Sequence, residues 1–388
     1  MKNRTYVFVR RVFRICLPSA VVFAIIAVPA VSAAAQQQAE PSQERRASDP
    51  PTPRRNVRNI LGGVPMTAAD SMHQRVVRLL DFDSYKGLVR GLTRFGDREQ
   101  GTPRNAAAVD WIEDQLRGWG YETARLHYMY TPRADDGAEP PAPEPREEVY
   151  ATKIGSTNPG EMYIVSAHMD GRGGGEAAND NGSGTALVME IARALASSDV
   201  ASDVSIRFAL WNNEETGLDG AEAYVEQRAE LQGIETPAGS GRYPEPRWLG
   251  MIQHDMMMWD HGNPVTFLQA LDADVDVEFQ LNSRFAEQSA QLGLVLINAN
   301  RLHATDYPAV LSNAMSNTDS TPFMNVVPAV SLRENRRLYE TGNRANPHWH
   351  QTTDLFETFS DADFTLGLNA AQTTLGALAK LSGIRIKN

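Results

Sequence analysis

The chain has 388 residues, of which 42% are hydrophobic and 22% charged, enough apolar content for a substantial buried core. Its formal net charge of -11 disfavours nucleic acid as a partner. The sole cysteine, Cys16, lies in the N-terminal segment described next, so the rest of the chain has neither a disulfide staple nor a cysteine nucleophile.

Lys2, Arg4, Arg10, Arg11 and Arg14 precede an apolar run over 15–31 that ends in Val31-Ser32-Ala33-Ala34-Ala35. This is the pattern of a secretory signal with a small-residue cleavage site at residues 1–35. The competing reading is a membrane anchor, but Pro18 and Pro29 interrupt a run barely long enough to span, so no stable anchor is expected. Arg10-Arg11-Val12-Phe13 also resembles a twin-arginine export signal. Cleavage removes five cations and no anions, taking -11 to -16, and implies an exported, periplasmic or secreted, protein. Residues 36–66 are rich in Gln, Pro, Ser and Arg and read as a flexible leader or propeptide.

The folded domain is expected over 67–388. In the helix predicted over 102–118, Thr102 caps, Pro103 suits the first turn, and Trp111, Ile112 and Leu116 share a face. A Pro- and acid-rich stretch over 132–148 separates strand-like runs at 122–130 and 149–154 and reads as a long surface hairpin loop. Strands and helices then alternate: strand 162–167, helix 184–196, strand 204–211, helix 218–231, strand 249–253, helix 275–292, strand 329–332 and a C-terminal helix over 363–381. The fold class is therefore α/β, a single three-layer domain with a mostly parallel mixed β-sheet and helices on both faces.

In such sheets sites form at the C-terminal ends of strands. His168 with Asp170, Glu214 with Glu215, and Asp255 all fall there, and Asp180 lies in the loop after the first of these strands. Singly each reads as an ordinary loop or helix-start residue. Together they supply metal-ligand types, and carboxylates so packed repel one another unless cations lie between them. His350, beside a later loop end, adds a second histidine; two histidines and three carboxylates suit zinc, and a bridging carboxylate permits two ions about 3.5 to 4 Å apart.

Gly171-Arg172-Gly173-Gly174-Gly175 lacks the helix start and Gly-Lys-Ser/Thr of a phosphate cradle and reads as a flexible loop over the metals. There is no His-Glu-x-x-His, and Asn181-Gly182-Ser183-Gly184 lacks the first glycine of a nucleophile elbow.

Residues 163–195, the stretch Phe208-Ala209-Leu210-Trp211-Asn212-Asn213-Glu214-Glu215-Thr216-Gly217-Leu218, the strand end at Asp255 and Pro347-His348-Trp349-His350-Gln351 resemble the M28 family of zinc aminopeptidases, in the same order and over about 83–381. The resemblance implies a zinc-exopeptidase, phosphorylase/hydrolase-like fold and two Zn2+ ions per chain. His168 and Asp255 would bind one ion, Glu215 and His350 the other, and Asp180 both. Asp170 would orient His168. Glu214 would be the general base that takes a proton from the water bridging the metals and delivers it to the leaving amine. The implied function is an exported aminopeptidase acting on peptide substrates. A carboxypeptidase or glutaminyl cyclase on the same scaffold, or a catalytically silent binding ectodomain, are the alternatives.

His348 competes with His350 for the last ligand position, and the aromatic-His pattern favours His350. His254 should face away from Asp255 on its strand. Asp260 and His261 are either cleft-lining or plain loop residues. Thr318-Asp319-Ser320-Thr321-Pro322-Phe323 departs from the family's Ser-Asp-His or Ser-Asp-Tyr, so no ring stands at Ser320. Tyr307, Arg333 and Tyr339 are candidate substrate contacts.

Overall fold

The computed structural model describes residues 66–134, 138–139, 141–259, 275–304, 306–313, 315–334 and 346–387. The expected signal and nearly all of the expected leader lie outside these residues, as do Asp260, His261 and Tyr339. Among the described residues no helix is long and apolar enough to cross a membrane.

Three helices come first: α1 (Ala68–Val77), α2 (Phe82–Thr93) and α3 (Pro103–Gly118). The Thr102 side chain accepts from the Asn105 amide at the start of α3, and Pro103 occupies its first turn, where no amide hydrogen is needed. Strands β1 (Thr123–Tyr130) and β2 (Glu144–Lys153) form an antiparallel hairpin. The remaining strands are β3 (Asn158–His168), β4 (Val200–Ala201), β5 (Val204–Trp211), β6 (Arg247–His254), β7 (Val275–Glu278), β8 (Ala309–Ser312), β9 (Ala329–Arg333) and β10 (Arg385–Ile386). Between them lie α4 (Gly182–Leu195), α5 (Glu214–Gly217), α6 (Asp219–Arg228), α7 (Ala286–His303), α8 (Ser320–Phe323) and α9 (Asp361–Ser382).

Among the described residues, eight strands make one mixed sheet in the order β1-β2-β5-β3-β6-β9-β7-β8. Its central strands β5, β3, β6 and β9 are mutually parallel, so their C-terminal ends converge on one edge. Period-two alternation distributes side chains to two cores. Val165, Ala167, Ile206, Phe208, Leu210 and Ile252 pack beneath α2, α3, α4, α7 and α9. On the opposite face Ile164, Ala209, Trp211 and Met251 pack with Tyr224 of α6 and Phe323 of α8. Trp211, Tyr224, Trp248 and Phe323 form one aromatic cluster there, with Trp211 and Tyr224 ring centroids 4.8 Å apart. All eight residues of β5 are buried, which is why its sequence is apolar almost throughout.

The expected helix over 275–292 divides into a strand and a later helix. Val275-Asp276-Val277-Glu278 is β7, paired antiparallel with β9 and parallel with β8, and α7 begins at Ala286. The β-branched alternation of the first four residues is strand chemistry, and sheet pairing with strands distant in sequence decides it.

Helix α4 places the loop before it. Its N-cap Asn181 accepts from the Gly184 amide at 2.9 Å and donates to the His254 carbonyl at 2.8 Å, joining the helix start to the end of β6. A Cβ at position 184 would collide with the Asn181 side chain and the His254 carbonyl. Gly184→Ala is expected to cost about 1 to 3 kcal/mol of stability, read as a lowered urea midpoint with unchanged m value. An unshifted midpoint contradicts the close approach.

Candidate metal centre

The end of β3 supplies His168, which is 1% exposed. Its Nε2 lies 3.4 Å from Asp255 Oδ1 and 3.5 Å from Asp180 Oδ1. Asp255 follows β6, whose parallel pairing with β9 continues through a bond from the Asp255 amide to the Leu332 carbonyl. His350 reaches the same place from the other side, its Nε2 2.9 Å from Glu215 Oε2 and 3.1 Å from Asp180 Oδ2. Two groups of ligand atoms result, His168 with Asp180 and Asp255, and Asp180 with Glu215 and His350, and Asp180 belongs to both.

Glu214 and Glu215 begin α5 just after Asn213, whose φ of 63° turns the chain sharply out of β5. Tyr128 Oη donates to the Asn213 side-chain oxygen at 2.8 Å and steadies that turn. The Asp170 carboxylate accepts from the Glu214 and Glu215 amides at 3.2 and 3.3 Å. Its expected hold on His168 is shared with its own backbone: His168 Nδ1 is 3.1 Å from the Asp170 carbonyl and 3.6 Å from the carboxylate. Asp170 thus ties the His168 strand end to the Glu214 helix start.

The electrostatics are those of carboxylates crowded together and buried. Burial pushes the Glu214 carboxyl well above its ordinary range, with Asp255, Asp319 and Glu215 adding to the shift and His168 opposing it. Burial and Asp180 raise Glu215 to about 7. Burial opposes protonation of His350, yet Asp180 and Glu215 hold it at about 9. Glu215 Oε1 is buried without a hydrogen-bond partner. Imidazole nitrogens beside shared carboxylates, with one orphaned carboxylate oxygen, are the donor set of a zinc site.

The carbonyl and carboxylate groups around this centre have partners the sequence did not single out. Asp354 accepts from the Asn179 and Asp180 amides at 2.8 and 3.0 Å and so fixes the Asp180 backbone. The buried Glu334 accepts from Asn179, Met258 and Trp259, fastening the loop after Asp255. The fully buried Arg98 donates to the carbonyls of Met169, Gly96, Glu176 and Ala177. Burial lowers its pKa to about 10, but the surrounding aspartates keep it a cation. The glycine-rich loop is exposed over 172–174 but approaches the His350 turn closely: a Cβ on Gly173 would lie 2.6 Å from the His350 carbonyl oxygen.

Among the other sequence candidates, His348 lies outside both groups, its Nδ1 2.9 Å from Thr353 Oγ1. His254 is buried, bonded to the Ser166 carbonyl and Thr374, away from the metal groups. Tyr307 is 4% exposed and donates to the Ala362 carbonyl, which makes it a core residue rather than a substrate contact. Arg333 pairs with Asp255 and Glu278 instead of facing open space. Of the departing segment, Thr318 donates to Asp255 Oδ2 at 2.7 Å, and the buried Asp319 accepts from Gln253 at 2.9 Å. A third group, Asp70, His73 and His303, lies elsewhere, and its Asp70 closes the capping box of α1.

A family model for peptidase family M28 matches residues 149–371, more than half of the chain and all five residues of the two groups. The chain belongs to peptidase family M28. Relatives by sequence include a probable zinc metalloprotease of Leptosphaeria maculans, 29% identical over 175 residues, 41% of this chain and 40% of that one. The aminopeptidase YwaD of Bacillus subtilis is 44% identical over 72 residues, 19% of this chain and 15% of that one. This chain thus spans less than half the length of either relative. Among solved structures, a zinc aminopeptidase from Bacillus subtilis matches with a TM-score of 0.58 at 14% identity, covering 78% of this chain and 95% of that one. A glutaminyl cyclase from Fimbriiglobus ruber matches with a TM-score of 0.55 at 18% identity, covering 77% and 95%. The two solved structures share the fold.

Replacing Arg98 by Met leaves four loop carbonyls without their donor, and the expected loss is about 3 to 5 kcal/mol of folding stability. Chemical denaturation checks this, and a loss below about 1 kcal/mol contradicts the structural role given to Arg98.

Proposed function

We propose that this M28 protein is an exported metallo-aminopeptidase that removes N-terminal residues from peptides. The observation carrying the reading is the pair of ligand groups that share Asp180, with Glu214 beside them. His168, Asp180 and Asp255 would hold one zinc ion and Asp180, Glu215 and His350 the other. Zinc so held supplies Lewis acidity toward the scissile carbonyl and lowers the pKa of water.

The remaining work falls to the chain. Glu214 is buried among acids and carries a raised proton affinity, the property needed in a group that takes a proton from water and passes it to the departing amine. Asp170 positions Glu214 through the backbone amide and His168 through its own carbonyl, so both partners of the reaction are set from one residue. Asp354 holds the Asp180 backbone against the repulsion of neighbouring carboxylates. Export is supported by the basic, apolar and small-residue order of residues 1–35.

Glu214→Gln is expected to keep the fold and the bound metal while turnover falls about 100- to 10,000-fold. The assay is mass spectrometry of a mixed peptide library, free and N-acetylated, incubated with zinc-loaded protein. Stepwise loss from free N-termini that acetylation stops is the expected result. Undiminished activity in Glu214→Gln overturns the role of Glu214. Loss from C-termini, or ammonia loss from N-terminal glutamine, replaces the aminopeptidase reading with a carboxypeptidase or a cyclase.

A further inference from the structure

Away from the sheet edge, Asp70, His73 and His303 bring one carboxylate oxygen and two imidazole nitrogens within 4.8 Å of one another. Asp70 and His73 stand three residues apart on α1 and so share one face of that helix, and His303 is the last residue of α7. Two imidazoles and a carboxylate, with water in the fourth position, make a tetrahedral zinc donor set.

The histidine from α7 is held in the form a metal needs. It is 5% exposed, and its ring lies against α9, where a Cβ on Gly376 would stand 2.7 Å from His303 Cδ2. Its Nδ1 is 3.2 Å from Gln74 Oε1, an oxygen that can only accept, so in the neutral ring the hydrogen sits on Nδ1 and the lone pair on Nε2. A side-chain or backbone oxygen that takes the hydrogen of one ring nitrogen is how the tautomer of a metal-bound histidine is set. The Asp70 carboxylate receives both bonds from Thr67, one from the amide and one from the hydroxyl, on Oδ2 at 2.8 Å, which leaves the lone pairs of Oδ1 outside the capping box. The carbonyl end of α7 adds partial negative charge at His303 and so favours a cation there. Lys380 of α9 lies within electrostatic reach of His73, but its side chain is exposed and water screens it.

Helix α1 also has a need that an ion here meets. With ten residues it is too short to hold its shape unaided. Its buried residues, Val76 and Val77, both lie in its last turn, whereas Thr67, Ala68, Ala69 and Ser71 at its start are exposed.

We propose that Asp70, His73 and His303 form a further metal site, separate from the peptidase centre, that takes a first-row dication such as zinc and clips the start of α1 to the end of α7. The role of this ion is structural, and the inference does not depend on the peptidase reading.

The test compares the full-length protein with His73→Asn after equilibration in micromolar free Zn2+. Bound zinc per chain is counted by native mass spectrometry, and backbone amide exchange over residues 68–77 is followed with and without zinc. Wild type is expected to hold one zinc more than His73→Asn, while both cleave peptides at the same rate. Zinc is expected to slow exchange in α1 of wild type at least about 10-fold, as a ligand at ten times its dissociation constant does, and to leave α1 of the variant unchanged. Asp70→Asn keeps an oxygen for the cap of α1 and is expected to lose the same ion, so it takes over if His73→Asn does not fold by circular dichroism. If neither variant folds, the wild-type exchange decides. Equal zinc counts in wild type and a folded variant, or exchange in α1 of wild type that zinc leaves unchanged, overturns the inference and leaves the peptidase reading in place. A difference of one ion with no peptide cleavage by either protein upholds the inference and overturns the peptidase reading.

Discussion

Everything in this molecule turns on one electrostatic constraint: Asp180 is held within reach of His168, Asp255, Glu215 and His350 in a setting with little water. Carboxylates brought this close repel one another and lose hydration at once. The raised proton affinities of Glu214 and Glu215 record that strain. The arrangement is stable only with positive charge between the acids, as imidazolium in the bare protein or as metal. Structure and chemistry share this cause, because the same crowding that calls for a cation leaves a carboxylate suited to moving a proton.

The scaffold meets the constraint from beneath. Parallel β3, β5 and β6 deliver His168, the Glu214-Glu215 turn and Asp255 to one edge without any of them being adjacent in sequence. Asp354 grips the Asp180 backbone, Asn181 caps α4 and binds the His254 carbonyl, and Arg98 gathers the carbonyls of the loop between them. These contacts carry no chemistry of their own. They remove the freedom by which the acids would otherwise drift apart, so the cost of crowding is met by backbone hydrogen bonds formed on folding.

What the sequence made legible follows from what is local. The alternation of Ile206, Phe208 and Leu210 marks β5 because these residues face one core, beneath the helices, and Thr102-Pro103 marks the start of α3 because capping is a short-range bond. Of the ligand candidates, His168, Glu215 and Asp255 stood out because each lies at or just past the end of a strand beside an apolar run, whereas Asp180 and His350 lie in loops. Val275 to Glu278 did not read as a strand, since the partners that make it one, β8 and β9, lie more than thirty residues on. Glu334, Asp354 and Arg98 were invisible for a related reason. Each is an ordinary charged residue until chain folding brings its partners from 70 or more residues away, as Arg98 to Met169 and Asn179 to Asp354 do. The nearness of Asp354 to the Trp349-His350 pair was the one sequence hint. Arg333 was noticed, but its register beside Asp255 was not, and that register turns a supposed substrate contact into a neighbour of the metal centre.

The most direct measurement is anomalous X-ray diffraction at the zinc edge from crystals of the protein grown in saturating zinc. At the sheet edge the account predicts two anomalous peaks, one on each side of the Asp180 carboxylate, the first among His168 and Asp255 and the second among Glu215 and His350. A single peak that does not touch Asp180, or peaks only at sites elsewhere such as the group of Asp70, His73 and His303, would contradict it.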